Sequence, residues 1–168
     1  ARSHIRHIRL MSEKIQTVTA LAAILSARRA RGERLVFTNG CFDLLHIGHT
    51  RYLQAARALG DCLIVGINSD TSVRAIKPNG RPIVPQAQRA EVLAALACVD
   101  HVVLFDEPDP RALIASIQPD VLAKGGDWPI EQIVGRDLVQ ARGGRVVTIP
   151  LVPDVSTTTL VQRIQNLT

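Results

Sequence analysis

Short aliphatic runs alternate along this chain with segments whose apolar residues return every three or four positions. The runs are "RLVFTN", "DCLIVGINSD", "DHVVLF", "PDVLAKG" and "RVVTIPLV". The segments between them include "GHTRYLQAARALG", "QAQRAEVLAALACV", "DPRALIASIQ" and "IEQIVGRDLVQARGG". A strand that is apolar on successive residues must be covered on both faces, and helices are what cover it when strands run parallel. The alternation therefore predicts a doubly wound α/β fold: one domain built on a parallel sheet with helices on both faces. Composition agrees. Of 168 residues, 46% are hydrophobic but only 3% aromatic, so the core is built from Ala, Val, Leu and Ile. The length suits a single core.

The ends read differently. "ARSHIRHIRL" before Met11 looks like a leader or tag remnant, covering residues 1–10. Setting aside Arg2, Arg6 and Arg9 lowers the formal charge of +5 to +2. A mildly basic chain suits a small anionic substrate, and no Lys/Arg run interleaved with aromatics points to nucleic acid. Residues 11–33 read as an N-terminal helix, with Ile15, Val18, Leu21, Ala22 and Leu25 near the helical period and a basic end. The main domain spans 34–168. Cys41, Cys62 and Cys98 are far apart and make no C-x-x-C pair, so neither zinc nor a disulfide framework is expected. No apolar run reaches the roughly 18 residues of a membrane span. The expected setting is a reducing cytoplasm, with no membrane partner.

In open parallel sheets, ligands bind outside the carboxyl ends of the strands. The dinucleotide fingerprint G-x-G-x-x-G is absent there. The first strand leads instead into "TNGCFDLLHIGHT". Gly40 permits a tight turn and Gly48 a close approach at the start of a helix. His46 and His49, three apart, share one face of the first helical turn. Free amides and the helix dipole already favour an anion there, and two imidazoles added to them make a phosphate clamp. "STT" (Ser156, Thr157, Thr158) opens the last helix after the last strand and offers hydroxyls and amides to phosphate. Lys77 lies in the loop "KPNGRPIVP", where a cation can neutralise phosphate. Arg89 opens a helix, where a cation is disfavoured, which suggests a phosphate partner. Thr38 either donates to phosphate or ends the strand; Asp43 positions the turn, and Phe42 packs. "KGGDW" ends another strand, and its glycines let a ligand approach the backbone.

"H-I-G-H" (residues 46–49) resembles the H-x-G-H signature of the nucleotidyltransferase superfamily, and "VSTTTLVQRI" resembles its second motif. The K-M-S-K-S loop of class I aminoacyl-tRNA synthetases is missing. From Arg34 to Ile164 the chain is similar to the adenylyltransferases that make ADP-heptose, through "NGCFDLLHIGHTRYLQAARALGD", "NSDTSVRAIK", "GRPIVPQAQRAEVLAAL", "PDVLAKGGDW" and "GGRVVTIP". Glycerol-3-phosphate cytidylyltransferase is the nearest competitor. It commonly carries an arginine where this chain has Leu151.

The resemblance implies a Rossmann-like nucleotidyltransferase domain over 34–168. It implies AMP transfer from ATP, with Mg2+, to a sugar 1-phosphate, D-glycero-β-D-manno-heptose 1-phosphate. His46, His49 and Lys77 are the expected catalytic residues. Thr38, Asn39, Gly40, Cys41, Phe42, Gly48, Arg89, Ser156, Thr157 and Thr158 are expected to hold the nucleotide. Asp43, Arg81, Lys124, Gly125, Asp127 and Trp128 are expected at the sugar or ribose. No protein metal site is expected, and a homo-oligomer, a dimer, is expected at family level.

Overall fold

The computed structural model describes residues 13–78, 80–126 and 128–167. The segment read from sequence as a leader (residues 1–10) and Asp127 lie outside them.

Six strands form one all-parallel sheet: β1 (Ile15–Gln16), β2 (Leu35–Gly40), β3 (Cys62–Asn68), β4 (His101–Phe105), β5 (Val121–Gly125) and β6 (Arg145–Ile149). Their order is β1-β4-β3-β2-β5-β6. From β2 the chain winds one way through β3 to β4, then returns to the other side of β2 with β5 and β6. The winding direction thus reverses between β2 and β5. The crevice at their carboxyl ends is the topological switch point, where such sheets bind ligands.

Alternation within each strand assigns its residues to two cores. Val36, Leu63, Val65, Ile67, Val102 and Ala123 face a layer holding α2 (Ile47–Arg57) and α4 (Gln86–Ala94). Leu35, Phe37, Ile64, Val103, Phe105 and Leu122 face the other, with α1 (Val18–Ala30), α5 (Arg111–Ile117) and α6 (Arg136–Gln140). Two short helices complete the chain at the ligand edge: α3 (Asp70–Ile76) and α7 (Thr157–Gln165). The expected doubly wound architecture is thus present, with helices on both faces.

Two expected boundaries differ. The N-terminal helix does not run through 11–33. Thr17 caps it by accepting the Ala20 amide, and Ile15–Gln16 instead form an edge strand in register with Val102 and Val103. The edge of β4 offers unpaired backbone groups, and a two-residue extension satisfies them better than one more helical turn. The segment "IEQIVGRDLVQARGG" is also not one helix. Gly135 takes φ +84°, and a Cβ there would lie 2.5 Å from the Ile114 Cδ1. This splits the stretch into a 3-10 turn, Ile130–Gln132, and α6.

Candidate active site at the sheet switch point

The loop after β2 is organised by its own side chains. His46 is the N-cap of α2, and its Nδ1 accepts the Gly48 amide at 3.1 Å. An Nδ1 that accepts carries no proton, so in the neutral ring the proton sits on Nε2, which is free to donate. Gly48 is required here for space: a Cβ would lie 2.9 Å from the His46 ring. The rings of His46 and His49 stack with centroids 3.9 Å apart, and Phe42, held at φ +47°, packs against His49 at 5.3 Å. Burial lowers the pKa of His46. Burial and then the neighbouring His46 push His49 down to about 4. Both imidazoles are therefore neutral donors near pH 7. His49 Nδ1 is buried without a partner among the described residues.

These rings line a cavity of about 270 Å³ together with Asn39, Gly40, Cys41, Phe42, Gly48, Lys124, Gly125, Ser156 and Thr157. β2, α2, β5 and the start of α7 thus converge as expected. Ser156 caps α7, its Oγ accepting the Thr159 amide at 3.0 Å. Lys124 donates to Asn39 Oδ1 at 3.4 Å, and burial lowers its pKa. A second cavity of about 600 Å³ adjoins the first, sharing Cys41, Phe42, His49 and Thr157 and adding Asp43, Lys77, Arg81 and Thr158. His49 and Thr157 therefore stand where the two spaces meet.

Four expected residues take different positions. Thr38 is fully buried and shares a 2.5 Å hydrogen bond with the Tyr52 hydroxyl, inside the sheet rather than in the cavity. Arg89 does not face a phosphate. Its side chain is fully buried and donates to the carbonyls of Val84, Cys41 and Asn68 and to Asp70 Oδ1 at 2.7 Å. It opens a helix because it ties together the loops around the site. Asp43 is likewise committed. It pairs with Arg81 and accepts the amides of Ile83 and Val84 at 2.8 Å each. Burial alone would raise its pKa, but those amides and the guanidinium hold it below the usual carboxylate range. The pair fastens the Lys77 loop to the histidine loop and commits the Asp43 carboxylate there, while Arg81, which gives its Nε to this contact, still lines the second cavity. Trp128 is exposed and lines neither cavity; it stands near Gly126, beside Leu151.

Tyr52, Leu151, Val152 and Val155 line the first cavity without having been expected there. Tyr52 was within reach of the sequence, since it follows His49 by one helical turn on the same face. The other three lie in irregular chain before α7, where no periodicity signals which way a side chain points.

Among the described residues no three His, Cys, Asp or Glu come together to hold a metal ion. The described part of the site has hydrogen-bond donors, two lysines and hydroxyls, and no free carboxylate pair among the described residues. Such donors at the switch point of an α/β sheet suit anionic groups such as phosphates. The chain belongs to the cytidylyltransferase-like family, whose model matches residues 37–163, and it is a nucleotidyltransferase.

Similar proteins agree. A bifunctional protein HldE of Geotalea uraniireducens is 55% identical over 153 residues, which cover 91% of this chain and 31% of that protein. A protein of the same name from Nitrobacter hamburgensis is 56% identical over 152 residues, with 90% and 31% covered. The chain thus spans about a third of the length of these relatives. The crystal structure of a lipopolysaccharide core biosynthesis protein from Thermoplasma volcanium GSS1 superposes with a TM-score of 0.59 at 29% identity, over 72% of this chain and 98% of that one. A pantoate-beta-alanine ligase from Francisella tularensis shares the fold, with a TM-score of 0.59 at 18% identity over 92% of this chain and 73% of that one. Among the described residues, no helix is long and apolar enough to cross a membrane.

Proposed function

We propose that this chain transfers AMP from ATP to D-glycero-β-D-manno-heptose 1-phosphate, giving ADP-heptose and pyrophosphate. One observation carries the reading. Stacked, neutral His46 and His49 face the Ser156–Thr157 entrance of α7 across a single cavity at the switch point. The similarity to proteins named HldE and to a lipopolysaccharide core biosynthesis protein supports the choice of sugar.

In this reading the triphosphate lies along the first cavity and the sugar phosphate enters from the second. An oxygen of the sugar phosphate attacks the α-phosphorus, and the bond to the β-phosphate oxygen breaks as pyrophosphate leaves. The attacking phosphate is already ionised near pH 7, so no protein base is needed. The barrier is one of charge and alignment. His46 Nε2–H and His49 donate to phosphate oxygens as charge builds on them. Lys124 and Lys77 neutralise charge from the two sides, and the Ser156–Thr157 end of α7 adds its amides. Magnesium would arrive with the nucleotide as part of the substrate and would supply neutralisation of phosphate charge. Cys41 takes no covalent role; burial raises its pKa and disfavours the thiolate. The setting is the cytoplasm, where ATP is supplied, and the active form is a homodimer.

Pyrophosphate release tests this directly, with ATP or CTP offered against heptose 1-phosphate and glycerol 3-phosphate. Turnover with ATP and heptose 1-phosphate is expected. Turnover with CTP and glycerol 3-phosphate instead would move the assignment to a cytidylyltransferase. No turnover with any pair would overturn it.

A further inference from the structure

A second cleft lies at the opposite end of the sheet, at the amino ends of β2, β5 and β6. It measures about 670 Å³ and is lined by four arginines, Arg29, Arg34, Arg142 and Arg145, with Glu33 and Asp120. Of these carboxylates, Glu33 is paired with arginines outside the lining and Asp120 gives one oxygen to the backbone. Glu33 is paired with Arg28 at 2.5 Å and with Arg31 at 2.6 Å. Asp120 accepts the Leu35 amide at 2.7 Å. Arg29 is turned to the carbonyls of Ile117 and Gln118. The guanidiniums of Arg34, Arg142 and Arg145 have no hydrogen-bond or ion-pair partner among the described residues. Exposed Arg34, Arg142 and Arg145 outnumber the one carboxylate left facing them, Asp120, and an anion among them would offset the excess positive charge.

We propose that this cleft binds a small ligand carrying at least two adjacent phosphate groups and no nucleobase, of the pyrophosphate type. Guanidinium groups present paired donors that match phosphate oxygens two at a time. More than one such group needs more than one anionic centre to engage it. The rest of the lining is Gly32, Gly143, Gly144 and Val121, with no aromatic side chain on which a base would stack. Gly32 and Gly143 hold φ at +74° and +79°, with nothing within 4 Å of either Cβ position, so the rim stays open to a bulky anion. None of these residues touches the cavity with the histidines, so the site is separate from the nucleotide site.

Calorimetric titration of the full chain with pyrophosphate, orthophosphate, sulfate and ATP tests the proposal. Pyrophosphate is expected to bind at two sites. The Arg142→Glu/Arg145→Glu variant should weaken one of them at least tenfold and leave pyrophosphate-release activity unchanged. Arg34→Gln/Arg145→Gln is the milder second variant, checked for folding by its melting curve. His46→Ala/His49→Ala should remove the other site and spare this one, so failure of the proposed reaction and failure of this site are read separately. A single pyrophosphate site in the parent protein would overturn the proposal. So would an undiminished second site in both arginine variants, or sulfate and orthophosphate binding there as tightly as pyrophosphate.

Discussion

Replacing Gly48 by alanine separates the geometry of the histidine pair from the stability of the fold. The new Cβ would lie 2.9 Å from His46 Cε1 and Nδ1, closer than real side chains approach. The obstructing atoms belong to a ring that can swing about its own side-chain bonds, so the backbone need not move. Swinging it breaks the bond between the Gly48 amide and Nδ1, at a cost of about 1 kcal/mol for a lost cap. Alanine in place of glycine inside a helix gains up to about 1 kcal/mol, so the two effects nearly cancel. Catalysis has no such compensation. The ring leaves both its stack on His49 and its place in the cavity. Losing one preorganised donor costs about 10²-fold or more in turnover, equivalent to about 2.7 kcal/mol of barrier. The assay is pyrophosphate release on a variant whose melting temperature has been measured. A fall of about 100-fold in kcat with an unchanged melting temperature is expected. A Gly48→Ala enzyme within threefold of the parent would refute the claim that His46 acts from the position it holds.

Four further outcomes follow from the same structure. Arg89→Met leaves Asp70 and three loop carbonyls without their donor, and should cost about 3 kcal/mol, read as a lower urea midpoint; a loss under about 1 kcal/mol would contradict its role. Asp43→Ala frees the Ile83 and Val84 amides, whose hydrogen exchange should speed up about tenfold or more, while kcat falls through the loosened Lys77 loop; unchanged protection would count against the clasp. His49, neutral in the fold with a pKa of about 4 against 6.5, contributes stability in full above pH 6.5 and loses it as pH falls towards 4. With discount for its partial exposure this is about 1–2 kcal/mol, so the melting temperature of His49→Gln should depend less on pH over that window; parallel curves would refute it. Thr38→Val and Tyr52→Phe should each cost about 1 kcal/mol, and the double variant less than their sum, because each removes the same hydrogen bond.

The histidine loop was legible because its constraints are local. Two imidazoles three residues apart share a helical face wherever that helix lies, and a cap forms within a few residues. The cap of the helix after β3 is local in the same way, Ser69 accepting the Ser72 amide. Apolar runs between helical segments determined a parallel sheet covered on both faces, since burial on both sides leaves few other arrangements.

Tertiary structure alone decided the long-range assignments. Arg89 sits at a helix start, where sequence suggests a phosphate. Its partners come from Cys41, Asn68, Asp70 and Val84, and only the folded sheet brings these around one guanidinium. Asp43 looked like a turn residue with capacity to spare until Arg81, Ile83 and Val84, about 40 positions away, used it up. Ile15 and Gln16 fit the helical period, yet an open sheet edge more than 80 residues further along claimed them as a strand. Periodicity and capping act within a turn or two of chain and are written in the sequence. Which buried polar group satisfies which other depends on where the sheet places them, and short-range pattern carries no record of that.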